Sequence, residues 1–285
     1  MATAETTRSS SGPPELVTAT LRLVGPDWEL RTAMSVPAGP TRLGELLPLM
    51  QSFADAVVDS VSKEVEARGE RISCKQGCGA CCRQLVPIAE AEARQLQVTI
   101  ERFSEPRRSA VRARFTEARR RLEAAGLSEK LLHPDRWSDG EGRSIGLAYF
   151  RLGIPCPFLE EESCSLYADR PIACREYLVT SPADNCARPT SESVACVKLP
   201  FKVWTAVARF DDLPPSARFI RWVPLILASD WAEAHRAEPA LCPGPDLLRE
   251  FFDHVTGKRP PRAQPVPIPR DPDSLLPWSD QESRS

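Results

Sequence analysis

The stretch Cys74–Cys82 concentrates the residues best suited to chemistry in this chain. It reads CKQGCGACC, so four thiols lie within nine residues. Three more thiols follow at Cys156, Cys164 and Cys174. A thiolate is a soft ligand, and thiols at this density are typical of a site for zinc or for an iron–sulfur cluster. The sequence therefore predicts a metal site, but it does not indicate what the bound metal does.

The spacing of the first four thiols favours convergence on one centre. Gly77 and Gly79 allow the backbone to turn tightly beside Cys78, because glycine carries no Cβ. If this stretch is helical, Cys78, Cys81 and Cys82 lie on one face, at i, i+3 and i+4. The adjacent thiols of Cys81 and Cys82 are expected to diverge, so one of them would serve a second centre, hydrogen-bond the cluster or take part in chemistry.

Three further elements complete a recognisable pattern. They are CPFL at residues 156–159, CSLY at residues 164–167 and RPIACR at residues 170–175. Together with the cysteine quartet, they resemble the signature of the bacterial YkgJ-like cysteine-cluster family, the CxxCxxCC proteins. Members are described as zinc- or iron-chelating proteins and sometimes as iron–sulfur oxidoreductases. The resemblance covers residues 70–180 of this chain.

The resemblance implies a thiolate-bound metal centre whose cofactor is an iron–sulfur cluster, of the four-iron, four-sulfide type, or zinc. Its implied metal ligands are Cys74, Cys78, Cys81, Cys82, Cys156, Cys164 and Cys174. Seven thiols exceed the four that one tetrahedral zinc or one cubane cluster requires. Cys186 or Cys196 could raise the number to eight and allow two centres. Cys242, far downstream, is expected to be an ordinary cysteine.

Zinc and iron–sulfur both remain open at this point, and the residues favour iron–sulfur. Zinc suits a structural site with closed coordination, which cysteine spacing alone does not exclude. An iron–sulfur cluster better explains an all-cysteine set with surplus thiols and crowded glycines. The pair Cys156-Pro157 also matches the end of one ferredoxin ligand run.

Basic residues flank the predicted ligands. Four thiolates around a dication or a 2+ cubane leave a charge of about −2, which needs compensation inside a protein. The candidates that could supply it are Lys75, Arg83, Arg170 and Arg175. The alternative is that Arg170 and Arg175 simply pair with acidic neighbours in Glu160–Glu162 or with Asp169.

Three functions follow as hypotheses. The first is an iron–sulfur protein with an electron-transfer or oxidoreductase role and an unidentified redox or protein partner. The second is a non-catalytic zinc-binding structural or metal-handling module. The third is a cluster-containing enzyme of another class, such as a transferase. No catalytic residue can be assigned, because no phosphate-binding loop, dinucleotide fingerprint or zinc-protease helix is present in the sequence.

Charge and composition limit the classes of binding partner and the cellular compartment that we expect for this chain. The 285 residues carry a formal net charge of −2, and the pI is about 6.1, so nothing overall draws the chain to nucleic acid or anionic lipid. The arginine-rich residues 102–121 are interleaved with glutamates and are expected to form a solvated face. No apolar run of membrane-spanning length occurs, and Met1 to Glu15 does not resemble a secretory signal. We therefore expect a cytoplasmic protein, in which metal-bound cysteines are commoner than structural disulfides.

Hydrophobic periodicity predicts a mainly α fold with a small β-hairpin and an irregular cysteine-rich metal-binding core. Residues 1–15 should be disordered, 16–40 a hairpin, 41–257 the helical cysteine-cluster domain and 258–285 a proline-rich disordered tail. Pro48 predicts a kink or a restart of the first helix. The predicted helices cover residues 40–69, 88–103, 106–125, 217–237 and 246–255.

Overall fold

The computed structural model describes residues 15–24, 28–138, 140–190, 192–210 and 220–257. Helices dominate this part of the chain, and its strands form only small antiparallel pairs. The predicted fold class is therefore confirmed. No helix within the described ranges combines the length and apolar character that crossing a membrane requires. The predicted disordered tail lies outside the described residues, as does the predicted disordered start apart from Glu15.

Ten α-helices occur within the described ranges. They are Leu43–Ala67 (α1), Glu90–Glu101 (α2), Arg107–Ala124 (α3), Ser128–Leu132 (α4), Glu141–Arg151 (α5), Ile172–Arg175 (α6), Ala183–Ala187 (α7), Val203–Ala208 (α8), Ala228–Ala234 (α9) and Gly244–Val255 (α10).

Four antiparallel strand pairs accompany the helices in the described part of the chain. Their strands are Leu16–Val24 (β1) with Glu29–Pro37 (β2), Pro40–Thr41 (β3) with Cys242–Pro243 (β8), Pro87–Ile88 (β4) with Val223–Pro224 (β7), and Leu159–Glu160 (β5) with Ser163–Cys164 (β6).

The first two strands form the predicted hairpin. Leu16 pairs with Pro37 and Val24 with Glu29, so the connection falls at residues 25–27, outside the described residues. Side chains alternate between the two faces of a strand, and on β2 this places Met34 and Val36 against the core, where both are buried. The hairpin thus packs on the helical core through one face of β2.

Helix α1 forms because its apolar residues recur at the three- and four-residue spacing of one buried stripe. Buried side chains on it run from Leu46 to Val65. Gly69 ends the helix as predicted: its φ is +81°, and the Glu70 N–H donates to the Val65 carbonyl at 3.2 Å, as at many glycine-terminated helices. The predicted restart at Pro48 is wrong, because α1 is one helix through that residue.

The predicted helix over residues 217–237 is much shorter in the structure. Only α9 and the 3-10 turn Leu225–Leu227 are helical there, and residues 211–219 lie outside the described residues. Pro224 explains the difference, since a proline lacks the N–H that a helix interior needs. Strand β7 instead pairs with β4, so Pro224 lies opposite Pro87.

Three hydrophobic clusters pack the described residues together. The first joins α1 to β2, α8 and α10. The second joins α2 to α3, and the third joins the end of α3 to α5. The side chains of Cys156, Cys164 and Cys174 pack against the second cluster. The cysteine-rich loops therefore lie on a packed helical scaffold.

Candidate metal centre

The seven motif cysteines line a single cavity. Its volume is about 360 Å³, which lies within the range of small-ligand and cofactor pockets. The chain's three tyrosines also line it, and α1 contributes Val58, Asp59 and Ser62. All seven cysteines are free thiols of intermediate exposure. The cysteines that line the cavity are Cys74, Cys78, Cys81, Cys82, Cys156, Cys164 and Cys174.

The first cysteine segment is a series of turns and not the helix considered from the sequence. The Cys78 N–H donates to the Lys75 carbonyl at 3.2 Å, and the Cys82 N–H donates to the Gly79 carbonyl at 3.0 Å. Both bonds span three residues, which is the spacing of β-turns. The adjacent Cys81 and Cys82 both line the cavity, and the expected divergence of their thiols stays a prediction.

Both glycines of this segment are required by its geometry. Gly77 has a φ of +84°, a conformation that residues with a Cβ rarely adopt. Gly79 instead permits a close approach. A Cβ at that position would overlap the Glu162 carbonyl oxygen and would lie 2.7 Å from the Leu159 Cδ1. The quartet is therefore packed directly on the loop that carries Cys164.

The second cysteine segment is a tight hairpin bonded to the first. The Cys156 N–H donates to the Cys82 carbonyl at 2.8 Å, and strands β5 and β6 then lead to Cys164. Glu161 and Glu162 form the two-residue turn with φ values of 50° and 58°. Such turns favour asparagine and glycine, so two glutamates here carry backbone strain.

The third segment, α6 with Cys174, is fixed by a buried carboxylate. The Ile172 N–H donates to Glu92 Oε1 at 2.8 Å, and the Ala89 N–H donates to Glu92 Oε2 at 3.0 Å. Glu92 is 3% exposed, and burial raises the pKa of its carboxyl. One side chain therefore satisfies the first N–H groups of two helices, α2 and α6.

Two of the four flanking basic residues are occupied by structural contacts. Arg83 makes a two-pronged ion pair with Glu162, at 2.9 and 2.6 Å. This pair was not predicted from the sequence, and it joins the first two cysteine segments. Arg175 is buried and donates to Asp55 Oδ2 at 2.5 Å, as well as to the backbone carbonyls of residues 168 and 170. It ties α6 to α1.

The other two basic residues, Lys75 and Arg170, line the cavity, as Arg175 also does. The Arg170 guanidinium lies over the Tyr167 ring, 4.1 Å from its centroid, and its Nε makes no hydrogen bond. Its positive charge lowers the pKa of the Cys74 and Cys164 thiols, although burial outweighs this effect. Three of the four candidates therefore lie at the cavity, and Arg175 differs from Lys75 and Arg170 in that its charge is already paired with Asp55.

The cavity favours neutral thiols as it stands. A hydrogen bond to Cys82, followed by burial, raises the pKa of Cys81. A bound cation reverses this preference, because metal ligation stabilises the thiolate and releases the proton. Burial also raises the pKa of Cys74, Cys156, Cys164 and Cys174, with that of Cys156 at about 12.

Arginines of α3 brace the cysteine loops, a role that the sequence interpretation missed. Arg107 donates to the Ser165 carbonyl at 3.1 Å, and Arg114 donates to the Pro157 carbonyl at 3.0 Å. Arg121 donates to the backbone carbonyl of residue 152. Seven residues separate each arginine from the next, which is close to two helical turns, so all three lie along one side of α3. This seven-residue spacing is the sequence signal from which the shared role of the three arginines could have been predicted.

The three remaining cysteines lie outside this lining. Cys242 packs in the first hydrophobic cluster, as expected of an ordinary cysteine. Cys186 is buried on α7, and Cys196 is exposed beside Val179, with which it forms a β-bridge. Among the described residues, no three His, Cys, Asp or Glu side chains are already close enough together to hold a metal ion.

The fold and the cavity define a class: a helical protein whose irregular loops bring many free thiols to one cavity. Residues 73–196 match the model of the CxxCxxCC family, which is described as a putative zinc- or iron-chelating domain. The family expected from the sequence is thus confirmed for these residues, with zinc or iron as its metals. The match extends beyond Cys174 and includes Cys186 and Cys196. Searches of curated proteins and of solved structures gave no significant match.

Proposed function

We propose that this chain binds an iron–sulfur cluster through cysteine thiolates and that the bound cluster has a redox role. The observation that supports this proposal is the shared cavity: seven free thiols from three separate chain segments line it. Iron and zinc both suit soft thiolate ligands, and both accord with the family description. The donor set therefore fits either metal.

The charges around the cavity suit a thiolate-bound centre. Four thiolates around a 2+ metal or a 2+ cubane leave a charge of about −2. Lys75 and Arg170 both line the cavity, so they offer two positive charges where that excess would arise. Arg83 and Arg175 are engaged with Glu162 and Asp55 and stabilise the loops instead. Lys75 and Arg170 are thus assigned to charge compensation.

Size and thiol number favour an iron–sulfur cluster over one zinc ion. A structural zinc site needs four ligands and closes tightly around a single ion. Here seven thiols line about 360 Å³, which accommodates a polynuclear centre and leaves thiols beyond the four that a cubane needs. As the side chains stand, no three of the described candidate ligands are close enough to hold an ion. Ligation would therefore involve rotation of cysteine side chains toward the cavity centre.

The redox role is the simplest use of such a cluster, since iron–sulfur centres carry electrons. An electron-transfer protein or an oxidoreductase would also need a redox partner, whose identity no residue reveals. The second candidate function, a zinc-binding structural or metal-handling module, is favoured by the closed packing of the cysteine loops. A cluster-containing enzyme of another class, such as a transferase, would use the same thiols but needs an organic substrate.

The deciding experiment is anaerobic purification followed by iron, zinc and acid-labile sulfide analysis, with an ultraviolet–visible spectrum. We expect about four iron and four sulfide per chain, together with a broad absorption band that bleaches on reduction. Cys242→Ala is the matched control, because Cys242 lies in the hydrophobic core and should not affect metal content. Zinc without sulfide or colour would contradict the iron–sulfur proposal and favour the zinc module. A metal-free protein that takes up neither metal would overturn both.

Removal of the metal should loosen the cysteine loops. Binding to a folded site stabilises the folded state by mass action, and burial keeps the free thiols protonated. We therefore expect a chelated sample to melt at a lower temperature than the loaded protein. Metal uptake should release protons, measurable with a pH indicator in weak buffer. A melting temperature unaffected by chelation would contradict a metal-stabilised centre.

A further inference from the structure

Tyr149 is the one buried residue among the three tyrosines that line the cavity. It is 2% exposed, whereas Tyr167 and Tyr177 are of intermediate exposure. Ile145 and Tyr149 are the buried residues of α5 and lie about one turn apart, on the same side of that helix. No other residue of this fully described helix lines the cavity. Helix α5 thus presents a single side chain to the proposed metal centre, and that side chain is a tyrosine.

The wall of the cavity around Tyr149 is otherwise apolar. It consists of the cavity-lining residues that belong to the third hydrophobic cluster or pack against it, which are Leu85, Tyr149 and Ile226. The tyrosine ring can pack among apolar side chains, but its hydroxyl usually has a hydrogen-bond partner when the residue is buried. The side chains of Leu85 and Ile226 offer none. The Tyr149 hydroxyl is therefore the one polar side-chain group of this wall.

The other two cavity tyrosines already have polar contacts. The Tyr177 hydroxyl accepts a hydrogen bond from Gln84 Nε2 at 3.1 Å, and the Arg170 guanidinium carbon lies 4.1 Å from the centroid of the Tyr167 ring. Within the described ranges, the Tyr149 hydroxyl makes no hydrogen bond to the protein. Burial raises the pKa of this hydroxyl, so at neutral pH it keeps its proton and is a donor. Its acceptor has to come from whatever occupies the cavity.

We propose that the Tyr149 hydroxyl donates a hydrogen bond to a sulfur atom of the bound metal centre, either a cysteine thiolate or a sulfide. This inference rests on the proposed function, because only a thiolate-bound centre in the cavity supplies that acceptor. Hydrogen bonds to the groups around a metal strengthen its binding, and hydrogen bonds to cluster sulfurs influence the reduction potential. A reduced cluster carries one more negative charge than an oxidised one, so a hydrogen-bond donor favours the reduced form. Tyr149 tunes the centre without ligating it.

Tyr149→Phe tests the proposal, because it removes the hydroxyl and keeps the ring in the third cluster. The reduction potential of the cluster-loaded, full-length protein should become more negative than that of the wild type, with iron and sulfide content measured in the same samples. An unchanged or more positive potential would overturn the proposal.

Zinc is a second probe, because a zinc site brings thiolates but no sulfide. Zinc affinity is measured by competition with a chelating dye. Binding that is about 10–100-fold weaker in Tyr149→Phe, the usual loss for a partner of a metal ligand, would assign the acceptor to a cysteine thiolate. Equal zinc affinity together with a shifted reduction potential would assign it to a sulfide, and both results support the hydrogen bond.

Tyr177→Phe is the matched comparison for a structural effect, since it also removes one hydroxyl from the cavity. Its hydroxyl accepts a hydrogen bond from Gln84, so the metal-free variant should melt at a lower temperature than the wild type. Metal-free Tyr149→Phe should melt at the same temperature as the wild type or higher, because no protein hydrogen bond is lost. A clearly lower melting temperature would assign the Tyr149 hydroxyl to a bond within the protein and overturn the proposal.

The metal content of the wild type separates failure of this inference from failure of the proposed function. If the wild type binds an iron–sulfur cluster and Tyr149→Phe has the same potential, only the hydrogen bond is refuted. If the wild type binds zinc without sulfide, the iron–sulfur proposal fails and the zinc affinities alone decide, with equal affinities overturning the hydrogen bond. A wild type that takes up no metal would overturn both.

Discussion

Gly79→Ala tests whether the two cysteine segments are packed as closely as the structure has them. The added Cβ would overlap the Glu162 carbonyl oxygen and lie 2.7 Å from the Leu159 Cδ1. The carbonyl is backbone, and it belongs to a turn whose residues Glu161 and Glu162 already have positive φ, so it cannot recede cheaply. Forcing an atom into a packed site costs about 1–3 kcal/mol. At about 2–4 °C per kcal/mol for a chain of this size, the melting temperature should fall by roughly 2–12 °C.

Gly146→Ala is the matched control. Gly146 lies in α5 with open space around its Cα, so alanine there should stabilise the helix by about 0.5–1 kcal/mol. Both variants are melted as metal-free protein, because bound metal would add its own stabilisation. Metal content is then compared after loading, and only Gly79→Ala should be deficient. If Gly79→Ala melts as high as the control and loads fully, the close packing of Gly79 on Glu162 is refuted.

Three further changes probe the loops and the hairpin. Glu161→Asn should raise the free energy of unfolding by up to about 1 kcal/mol, measured in urea, since asparagine tolerates the positive φ of this turn better; no gain would argue against strain there. Arg175→Met should lower the free energy of unfolding by about 3 kcal/mol because buried carbonyls lose a charged donor. Asp55→Asn should cost under about 1 kcal/mol, because the Asp55 side chain is 44% exposed and Arg175 keeps its carbonyl acceptors; equal losses would contradict this division. Hydrogen bonds, foremost that from Arg22, lower the pKa of Glu29 to about 2, so a carboxyl NMR titration should have its midpoint there. The Glu29 carboxylate should stabilise the hairpin fully above the ordinary glutamate pKa, and this stabilisation should be lost as the pH falls toward 2. A titration midpoint near the ordinary glutamate pKa would exclude the ion pair.

The helical scaffold could be predicted because its signals are local. The apolar periodicity of α1 and the glycine at residue 69 are both contained in the chain segment that they shape. The hairpin strands likewise alternate around a turn signal. The predicted helix over residues 217–237 was wrong because a pairing with β4, more than a hundred residues away, decides the conformation of β7. Pairing between strands that are far apart in the chain cannot be predicted from the residues of one segment.

The candidate site, like the fold, could be predicted only in part. The motif marks which thiols belong together, but it does not reveal the turns that carry them, such as the one closed by the Cys82 N–H and the Gly79 carbonyl. Nor does it reveal that Arg175, which lines the cavity together with Arg170, is paired with Asp55. The acceptors of Arg175 include backbone carbonyls, and every residue has one, so no side-chain pattern identifies them. The sequence shows which charged residues lie near a cysteine, but it does not show which partners their side chains contact.

Side chains of the helical scaffold hold the cysteine loops by hydrogen bonds to backbone groups. Glu92 binds the first N–H groups of α2 and α6, and arginines of α3 bind loop carbonyls. Such bonds satisfy backbone groups that thiolate ligation does not reach, so part of what holds the loops is independent of metal. A zinc finger differs, because its fold depends outright on its metal. In this chain the scaffold can hold more thiols at the cavity than one centre uses, because these backbone contacts help to position the loops and bound metal would add to that. A surplus of cysteines is then compatible with a single cluster and does not by itself require a second one.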